Sequence, residues 1–185
     1  HMTVKTIMST ELVTVTPDVT VADALLQMSG RQVHNIPVVD KNGDFVGLFS
    51  LRRLAHELLP TAARLDADTF HVDIGFLTDD SDEFLKRLHR IGRKPVSALL
   101  EKKKKLRFCK PDTSIPRMLQ LLTENPTSLP VLVVEGKRQK VVGMVSTWDV
   151  LTKVAVKLVQ EAPPEEPDED DDAKVPGDDE GERRR

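Results

Sequence analysis

The sequence is poor in cysteine and in aromatic residues, and it has no long apolar stretch. Its single cysteine, Cys109, excludes an internal disulfide and is typical of a reducing compartment, so we expect a cytoplasmic protein. No run of about 18 apolar residues occurs, so we expect neither a membrane-spanning helix nor a signal peptide. Aromatic residues make up 4% of the chain and tyrosine is absent, which argues against a nucleic-acid surface built on base stacking.

The groups needed for common catalytic and metal chemistry are also missing. His56, His71 and His89 are scattered without the spacing of metal ligands, and Cys109 has no partner histidine in view. No glycine-rich phosphate loop is present. The run Lys102–Lys105 has no interleaved aromatic residues, so we interpret it as a solvated loop. We therefore predict no enzyme activity, no metal and no resident cofactor.

Charge is plentiful but unevenly distributed. The formal net charge is −3, yet residues 161–185 contain twelve acidic and four basic side chains, a net charge of −8. The rest of the chain, 1–160, therefore carries +5. Such an acidic segment predicts a disordered C-terminal tail over 161–185. Two roles stay open for this tail: a solubilising extension, or a surface that binds a basic partner.

The sequence also contains an internal duplication. Matching positions recur at a nearly constant offset, which is 94 residues for Pro17 and Pro111, 93 for Pro37 and Pro130, and 96 for Gly47 and Gly143. Short β-branched strands between these positions alternate with helices that begin at capping residues, namely Thr20, Ser50, Ser114 and Ser146. The pattern predicts an α/β protein with a β-α-β-β-α unit at 4–60 and again at 97–160. Between the units, 61–96 is predicted to be a partly helical segment, with Phe84, Leu85, Leu88 and Ile91 on one apolar face.

The stretch Val141–Asp149 contains the strongest candidate for a binding site. A short apolar strand runs directly into a helix that begins at Ser146, and Asp149 follows three residues later. Ser146 and Asp149 can form a capping box, although glutamate is the usual and longer partner. A carboxylate can also accept two hydrogen bonds from a sugar diol. From spacing alone, the capping role ranks above the ligand role.

The twice-repeated pattern of strand, helix, Pro-Val strand, turn and Gly-x-x-Ser strand-to-helix junction resembles a tandem pair of cystathionine-β-synthase (CBS) domains, also called a Bateman module. The resemblance covers residues 4–160. It implies two pseudo-symmetric repeats packed as one module, with two clefts that bind adenosine nucleotides or S-adenosylmethionine in many relatives. It also implies a regulatory rather than catalytic role, a homodimer, and a regulated protein partner that the sequence does not identify.

The resemblance also predicts which residues form the cleft around Asp149, and there it raises the ligand role above the capping role. One wall would be the start of the last helix, comprising Ser146, Thr147, Trp148 and Asp149. The facing wall would come from the start of the chain and from the strand before Pro37, comprising Thr6, Ile7, Val33, His34, Asn35, Ile36 and Pro37.

The first repeat departs from the pattern, because Arg53 stands where the second repeat has Asp149. Arginine has no hydrogen-bond acceptor for a ribose diol. We therefore expect the first cleft, whose opposing wall would be 126–130, to be empty or altered, with one nucleotide site per chain. Arg52 and Arg53 are candidate phosphate contacts for the Asp149 cleft, or alternatively a solvated helix start.

Two functional hypotheses follow from the sequence. In the first, the protein is a regulatory module that binds AMP, ADP or ATP, with S-adenosylmethionine ranked behind them, and changes its cleft or dimer geometry. In the second, it is a structural protein-interaction module whose degenerate clefts hold no ligand. Neither hypothesis involves a membrane, and nucleic acid is not an expected partner of either.

Overall fold

The computed structural model describes residues 2–59, 81–124 and 129–161. The predicted tail beyond residue 161, the first part of the inter-repeat segment (60–80) and the wall residues 126–128 lie outside the described residues. In chain order the helices and strands are α1 (Val21–Arg31), β1 (Asn35–Val39), β2 (Phe45–Ser50), α2 (Leu51–Leu58), α3 (Ser81–Gly92), β3 (Phe108–Cys109), α4 (Ile115–Thr123), β4 (Val131–Glu135), β5 (Lys140–Val145) and α5 (Thr147–Gln160). Short 3-10 helices lie at Val4–Thr6, Val96–Leu99 and Lys103–Lys105. The predicted α/β class is confirmed.

The predicted caps form at the helix starts. A side-chain oxygen accepts a hydrogen bond from the backbone N–H three residues later at each capping residue, namely Thr20, Ser50, Ser114 and Ser146. These bonds satisfy N–H groups that have no partner inside the helix. Helix α1 ends at Arg31, and Gln32 follows it in the left-handed conformation with φ of 54°.

Each repeat builds its sheet around an antiparallel hairpin, β1 with β2 and β4 with β5. Strand β3 adds to β4 in parallel, whereas the matching segment of the first repeat, 12–15, forms only a single bridge, between Val15 and Val38. The cause is Pro37. In the second repeat, Leu132 donates its N–H to the Arg107 carbonyl at 2.9 Å, and Pro37 stands at the equivalent register without an N–H to donate.

The strand registers also correct the sequence comparison of the two repeats. Val38 lies opposite Gly47, and Val133 lies opposite Gly143, so Pro37 is equivalent to Leu132. The pairing of Pro37 with Pro130 was therefore wrong by two residues, because similar Pro-Val dipeptides occur at different points of the two strands.

The repeats exchange their leading segments, as the family resemblance implied only for the start of the chain. The Ser9 N–H donates to the Met144 carbonyl at 2.9 Å, which ties the start of the chain to the second repeat. In the same way, the Glu101 N–H donates to the Leu48 carbonyl at 2.8 Å and ties the second leading segment to the first repeat. Each repeat is therefore completed by a segment that precedes the other in sequence.

The exchanged segments explain the glycine in each hairpin. A Cβ atom on Gly47 would lie 2.6 Å from the Leu100 side chain, and one on Gly143 would lie 2.7 Å from the Met8 side chain. The matched contacts place both leading segments directly against the sheets.

Three apolar clusters form the core. One lies within the first repeat and includes Val21 and Phe49, and one lies within the second and includes Val4 and Val145. The third combines both repeats, through Leu48, Leu106, Leu129 and Leu132. Because this cluster joins β2 to β4, the two repeats pack as one module.

The apolar face predicted for α3 is only partly buried. Ile91 is 3% exposed, whereas Phe84 and Leu85 are about half exposed at 50% and 49%. The C-terminal end of α3 packs on the first repeat, where Gly92 lies beside Ala22. Among the described residues, this apolar face is therefore buried at the C-terminal end of α3 and half exposed in its N-terminal turns.

Candidate functional site

A cleft of about 290 Å³ lies where the start of α5 faces the segment that precedes β1. It brings together five of the predicted site residues, namely Val33, His34, Asn35, Ser146 and Asp149. The other lining residues are Ser9, Glu11, Leu12, Val13, Gln32, Pro130 and Met144. The cleft is therefore built from both repeats.

Ser146 and Asp149 form a complete capping box. The Asp149 N–H donates to Ser146 Oγ at 3.1 Å, and the Ser146 N–H donates to Asp149 Oδ2 at 3.3 Å. The back-reaching bond is long for an N–H···O contact, as expected for the shorter aspartate. Within the described chain, Asp149 Oδ1 accepts no hydrogen bond and the Ser146 hydroxyl donates none. The cap thus leaves one acceptor and one donor for a ligand in the cleft.

Helix α5 adds its own dipole to this wall. The first backbone N–H groups of a helix have no acceptor inside it, and their partial positive charge favours an anionic or polar ligand. Thr147 and Trp148 occupy these first positions of α5. Their side chains are exposed, that of Trp148 by 76%, and neither lines the cleft.

The facing wall is held in place from two sides. The Val33 N–H donates to the Met28 carbonyl at 3.1 Å, and the His34 carbonyl accepts from the Leu51 N–H at 3.0 Å. The backbone of 33–34 is thereby fixed to α1 behind it and to α2 ahead of it. The His34 side chain is exposed and stands free to contact a base or a phosphate.

The lining carries more acid than base. Among the described lining residues, Glu11 and Asp149 are the acids, His34 is the one titratable base, and no lysine or arginine is present. A ligand with several phosphate charges would meet two carboxylates here with little cationic compensation.

Several predicted wall residues do not line the cleft. Ile7 is 2% exposed, Ile36 is fully buried, and the Pro37 side chain is buried as well. Thr6 is exposed, but its hydroxyl donates to the Thr3 carbonyl at 2.7 Å. The leading segment is held instead by Lys153, whose Nζ donates to the Ile7 carbonyl at 2.5 Å.

Sequence reasoning placed none of the other seven lining residues in this cleft, and it had assigned 126–130, which includes Pro130, to the wall of the first cleft instead. Most of these positions depend on tertiary pairing. Ser9 and Met144 enter the cleft through the bridge between the start of the chain and β5. Glu11, Leu12 and Val13 follow Ser9 in the chain and line the cleft outside any regular strand. Gln32 is placed by its left-handed conformation, a local signal that the polar sequence Gly30-Arg31-Gln32 offered.

The corresponding corner of the first repeat is already occupied by a side chain of the protein. Ser50 Oγ donates to Glu101 Oε1 at 2.6 Å, and Arg52 forms an ion pair with the same carboxylate at 3.2 Å. The Glu101 side chain is 1% exposed. Glu101 is the counterpart of Ser9, so a buried carboxylate stands here where the second repeat has an open cleft. The expectation of an altered first cleft agrees with this arrangement.

The two candidate phosphate contacts both lie in this first-repeat corner. Arg53 Nη1 forms an ion pair with Glu57 at 2.9 Å, and its Nε donates to the Leu100 carbonyl at 3.4 Å. Neither Arg52 nor Arg53 lines the Asp149 cleft. Burial, and then the nearby Arg52 charge, lowers the pKa of Lys105 below its usual value.

Two further observations apply to the described parts of the chain. No group of three or more His, Cys, Asp or Glu side chains there is arranged to hold a metal ion. None of the described helices combines the length and apolar character needed to cross a membrane. Burial raises the pKa of the Cys109 thiol, against a smaller opposing effect of a hydrogen bond with Thr113, and the thiol packs in the apolar cluster of the second repeat.

Comparison with known proteins gives related sequences over most of the chain. The sequence profile of the CBS domain matches twice, at residues 4–60 and 96–156. A CBS domain-containing protein of Dictyostelium discoideum is 27% identical over 164 residues, which is 88% of this chain and 97% of that protein.

Solved structures share the fold. The structure of CBSX2 in complex with AMP has a TM-score of 0.60 at 22% identity, over 86% of this chain and 99% of that chain; CBSX2 is an Arabidopsis thaliana protein. The CBS domain pair of protein MJ0100, in complex with 5′-methylthioadenosine and S-adenosyl-L-methionine, has a TM-score of 0.56 at 17% identity, over 84% of this chain and 98% of that chain. The family resemblance inferred from the sequence is confirmed, and this chain belongs to the CBS-domain family as a tandem pair.

Proposed function

We propose that this protein is a non-catalytic regulatory module that binds one adenosine nucleotide per chain in the Asp149 cleft. The observation that carries the proposal is the unused hydrogen-bonding capacity of Asp149 Oδ1 and the Ser146 hydroxyl at the start of α5. A ribose diol can donate to the carboxylate and accept from the serine hydroxyl. The fixed wall at 33–35 lies across the cleft, where a base can insert between the two repeats.

The ligands seen in related structures support an adenosine compound. CBSX2 was solved with AMP, and the MJ0100 pair with 5′-methylthioadenosine and S-adenosyl-L-methionine. The two carboxylates in the lining favour a ligand with little phosphate charge, so we rank AMP ahead of ADP and ATP. The same carboxylates suit the sulfonium of S-adenosylmethionine, which removes the electrostatic reason for ranking it last.

The phosphate role of Arg52 and Arg53 stays a prediction. Each guanidinium has a carboxylate partner, Glu101 or Glu57, and must leave that partner before it can contact a ligand in the other cleft. This requirement further weakens binding of ATP relative to AMP, because the extra phosphates have no cation ready for them.

We propose a homodimer as the form in which ligand binding is transmitted to a regulated partner. An apolar stripe runs along the exposed face of α5, where Trp148 is 76% exposed, Leu151 59% and Val159 82%. Exposed apolar patches of this kind mark protein interaction sites. Trp148 directly precedes Asp149, so a ligand on Asp149 sits next to the stripe.

We also propose a cytoplasmic location, because the single buried cysteine suits a reducing compartment.

The proposal is tested by thermal unfolding with AMP, ADP, ATP and S-adenosylmethionine. At a ligand concentration about 100-fold above the dissociation constant, the gain in unfolding free energy is about 2.7 kcal/mol, which for a chain of this size is about 5–10 °C in Tm. Titration calorimetry should give one site per chain. If none of the four ligands raises the Tm at millimolar concentration, the interaction-module hypothesis replaces this one.

A further inference from the structure

An open groove outside the nucleotide cleft is lined almost entirely by basic residues. It has a volume of about 830 Å³ and lies along the C-terminal half of α3 and the turn that follows it. Its lining consists of Lys86, His89, Arg90, Arg93, Lys94 and Pro95. Lys86, His89 and Arg90 are spaced three and four residues apart on α3 and share one helix face, and Arg93 and Lys94 in the following turn line the same groove. We call this surface the basic groove.

The charges of the basic groove are uncompensated. Within the described residues, none of its five basic side chains forms an ion pair or a side-chain hydrogen bond. Cations near a helix C-terminus are favoured by the helix dipole, which accounts for His89 and Arg90 in the last turn of α3. That explanation does not cover Arg93 and Lys94, which lie beyond the helix. An external anionic partner is the better account of the whole set.

The backbone beneath the groove is fixed. The Lys94 carbonyl accepts from the Val21 N–H at 2.9 Å, and the Lys94 N–H donates to the Ile91 carbonyl at 3.0 Å. The Val96 N–H donates to the Val19 carbonyl at 2.8 Å. The turn is thereby tied to the start of α1, so the basic side chains project from a rigid support.

The chain contains a segment of opposite charge. Residues 162–185 contain eleven acidic and four basic side chains, and 168–172 is an unbroken run of five acids. This composition complements the five basic side chains of the groove. The groove lining favours an acidic peptide over a nucleic acid as the partner, because no aromatic residue lies among its lysines and arginines to stack on bases.

The length of the segment permits docking on its own chain. The acidic run starts seven residues after Glu161, where the described structure ends. Extended chain spans at most about 3.3 Å per residue, so the run lies within roughly 25–35 Å of Glu161. A folded domain of this size has a radius of gyration of about 15 Å. We propose that the acidic C-terminal segment docks intramolecularly in the basic groove of α3.

Docking of this kind would occupy the groove without filling the nucleotide cleft, because no residue lines both. Another acidic partner could then bind the basic groove only after the acidic C-terminal segment is displaced. The charge-based contact should also weaken with salt, since the Debye length falls from about 10 Å at 0.1 M to 3 Å at 1 M.

Zero-length carbodiimide crosslinking of the full-length protein, followed by mass spectrometry, tests the proposal directly. Amide bonds form between lysine amines and carboxylates that are in contact. The expected crosslinks join Lys86 or Lys94 to acids of 165–182, and they should largely disappear in about 1 M salt. The double variant Arg90→Glu/Arg93→Glu keeps both reactive lysines and should lower their crosslinking by about 5- to 30-fold, as expected for about 1–2 kcal/mol of lost surface attraction.

The matched control is Lys103→Glu/Lys104→Glu, which makes the same change in charge on the exposed lysine run. It should leave the Lys86 and Lys94 crosslinks unchanged. Equal loss in both variants, or crosslinks spread evenly over the other lysines, would overturn the proposal. So would crosslinks between isotopically labelled and unlabelled chains, which would assign the contact to a second copy. A single-stranded oligonucleotide that binds the groove when no tail crosslinks form would assign it to nucleic acid.

These results are independent of the nucleotide proposal. The Arg90→Glu/Arg93→Glu variant should bind AMP as the parent does, because neither residue lines the Asp149 cleft. Absence of tail crosslinks with intact AMP binding contradicts the docking alone. Tail crosslinks in a protein that binds no nucleotide contradict only the proposed function.

Discussion

The starts of α2 and α5 occupy equivalent places in the two repeats, yet they carry opposite charge patterns. After the capping Ser50, α2 has Arg53 followed one turn later by Glu57. After the capping Ser146, α5 has Asp149 followed one turn later by Lys153. The serine caps are nearly identical, at 3.0 Å and 3.1 Å. A shared backbone frame therefore supports two different sites, and the side chains decide which one stays open.

Both helices use a cation to hold the exchanged leading segment, but from different positions. Arg53 reaches the Leu100 carbonyl from the first turn of α2, whereas Lys153 reaches the Ile7 carbonyl from the second turn of α5. Because Lys153 serves this structural purpose, Asp149 in the first turn is free to face the cleft. In the first repeat the same position is committed to holding the fold together.

The leading segments complete the contrast. Glu101 and Ser9 make equivalent backbone bonds to β2 and β5. The glutamate is long enough to reach the Ser50 hydroxyl and Arg52, and it becomes buried there. The short serine leaves the space beside Ser146 open. The asymmetry of the protein thus depends on two exchanges, arginine for aspartate and glutamate for serine.

The largest expected effect comes from removing the carboxylate that distinguishes the second repeat. Asp149→Ala deletes a charged acceptor that we assign to the ribose, so AMP affinity should fall by roughly 1.5–3 kcal/mol, about 10- to 150-fold. The lost capping bond should separately lower the unfolding free energy by about 1 kcal/mol. Calorimetric titration measures the first effect, and denaturant unfolding measures the second.

Arg53→Ala is the matched control, since it changes the equivalent position of the first repeat. It should leave AMP affinity within about twofold of the parent, because a change under roughly 0.5 kcal/mol is expected away from the cleft. Equal affinity of Asp149→Ala and the parent would return Asp149 to a purely capping role. A second binding site in the parent would contradict the asymmetry of the clefts.

The strand-to-helix junctions that the two repeats share could be predicted from the sequence, because helix caps and hydrophobic periodicity are local features. Ser50 and Ser146 each precede a helix and follow a strand containing glycine, and they begin helices as predicted. The difference between Arg53 and Asp149 is likewise visible in one line of sequence. Five of the cleft residues followed from the family resemblance.

What the sequence could not supply was the residue-by-residue pairing of the exchanged leading segments. Ser9 lines the cleft and Glu101 is buried only because each pairs with a strand of the other repeat, over more than 50 residues in the case of Glu101. A glutamate directly before a lysine run has the local appearance of a solvated residue. The one usable signal was that Glu101 and Ser9 stand at matching places after Val96 and Val4.

A smaller effect is expected from disturbing the Glu101 corner, which distinguishes the first repeat. In Arg52→Ala, the buried Glu101 carboxylate would keep only its bond from Ser50. Breaking a fully buried pair costs about 3–5 kcal/mol. The Arg52 side chain is 37% exposed, so solvent screening reduces the expected loss of unfolding free energy to about 1–2 kcal/mol. Denaturant unfolding checks the value.

A second variant separates charge from packing at this corner. In Arg52→Ala/Glu101→Gln the buried charge is gone, while the amide oxygen can still accept from Ser50. The double variant should therefore recover much of the stability lost in Arg52→Ala alone, and both should bind AMP like the parent. If the double variant is no more stable than the single, the unpaired charge was not the cause of the loss. A change in AMP affinity would show that the two corners are coupled.

The smallest effect is expected where the repeats agree in structure but differ in residue, at Val15 and Cys109. Cys109 lies on β3 beside β4, Val15 forms the single bridge beside β1, and both are nearly buried, at 8% and 5% exposed. Free cysteine in a core acts as a small apolar side chain, so Cys109→Val should change the unfolding free energy by less than about 1.5 kcal/mol. The reciprocal Val15→Cys removes buried apolar surface and should cost about 0.5–1.5 kcal/mol, as for a similar core truncation.

Denaturant unfolding of both variants gives the comparison, and AMP titration should show no change in either, because neither residue lines the cleft. A loss above about 2 kcal/mol in Cys109→Val would contradict the equivalence and give the contact of the thiol with Thr113 a structural role that Val15 does not share.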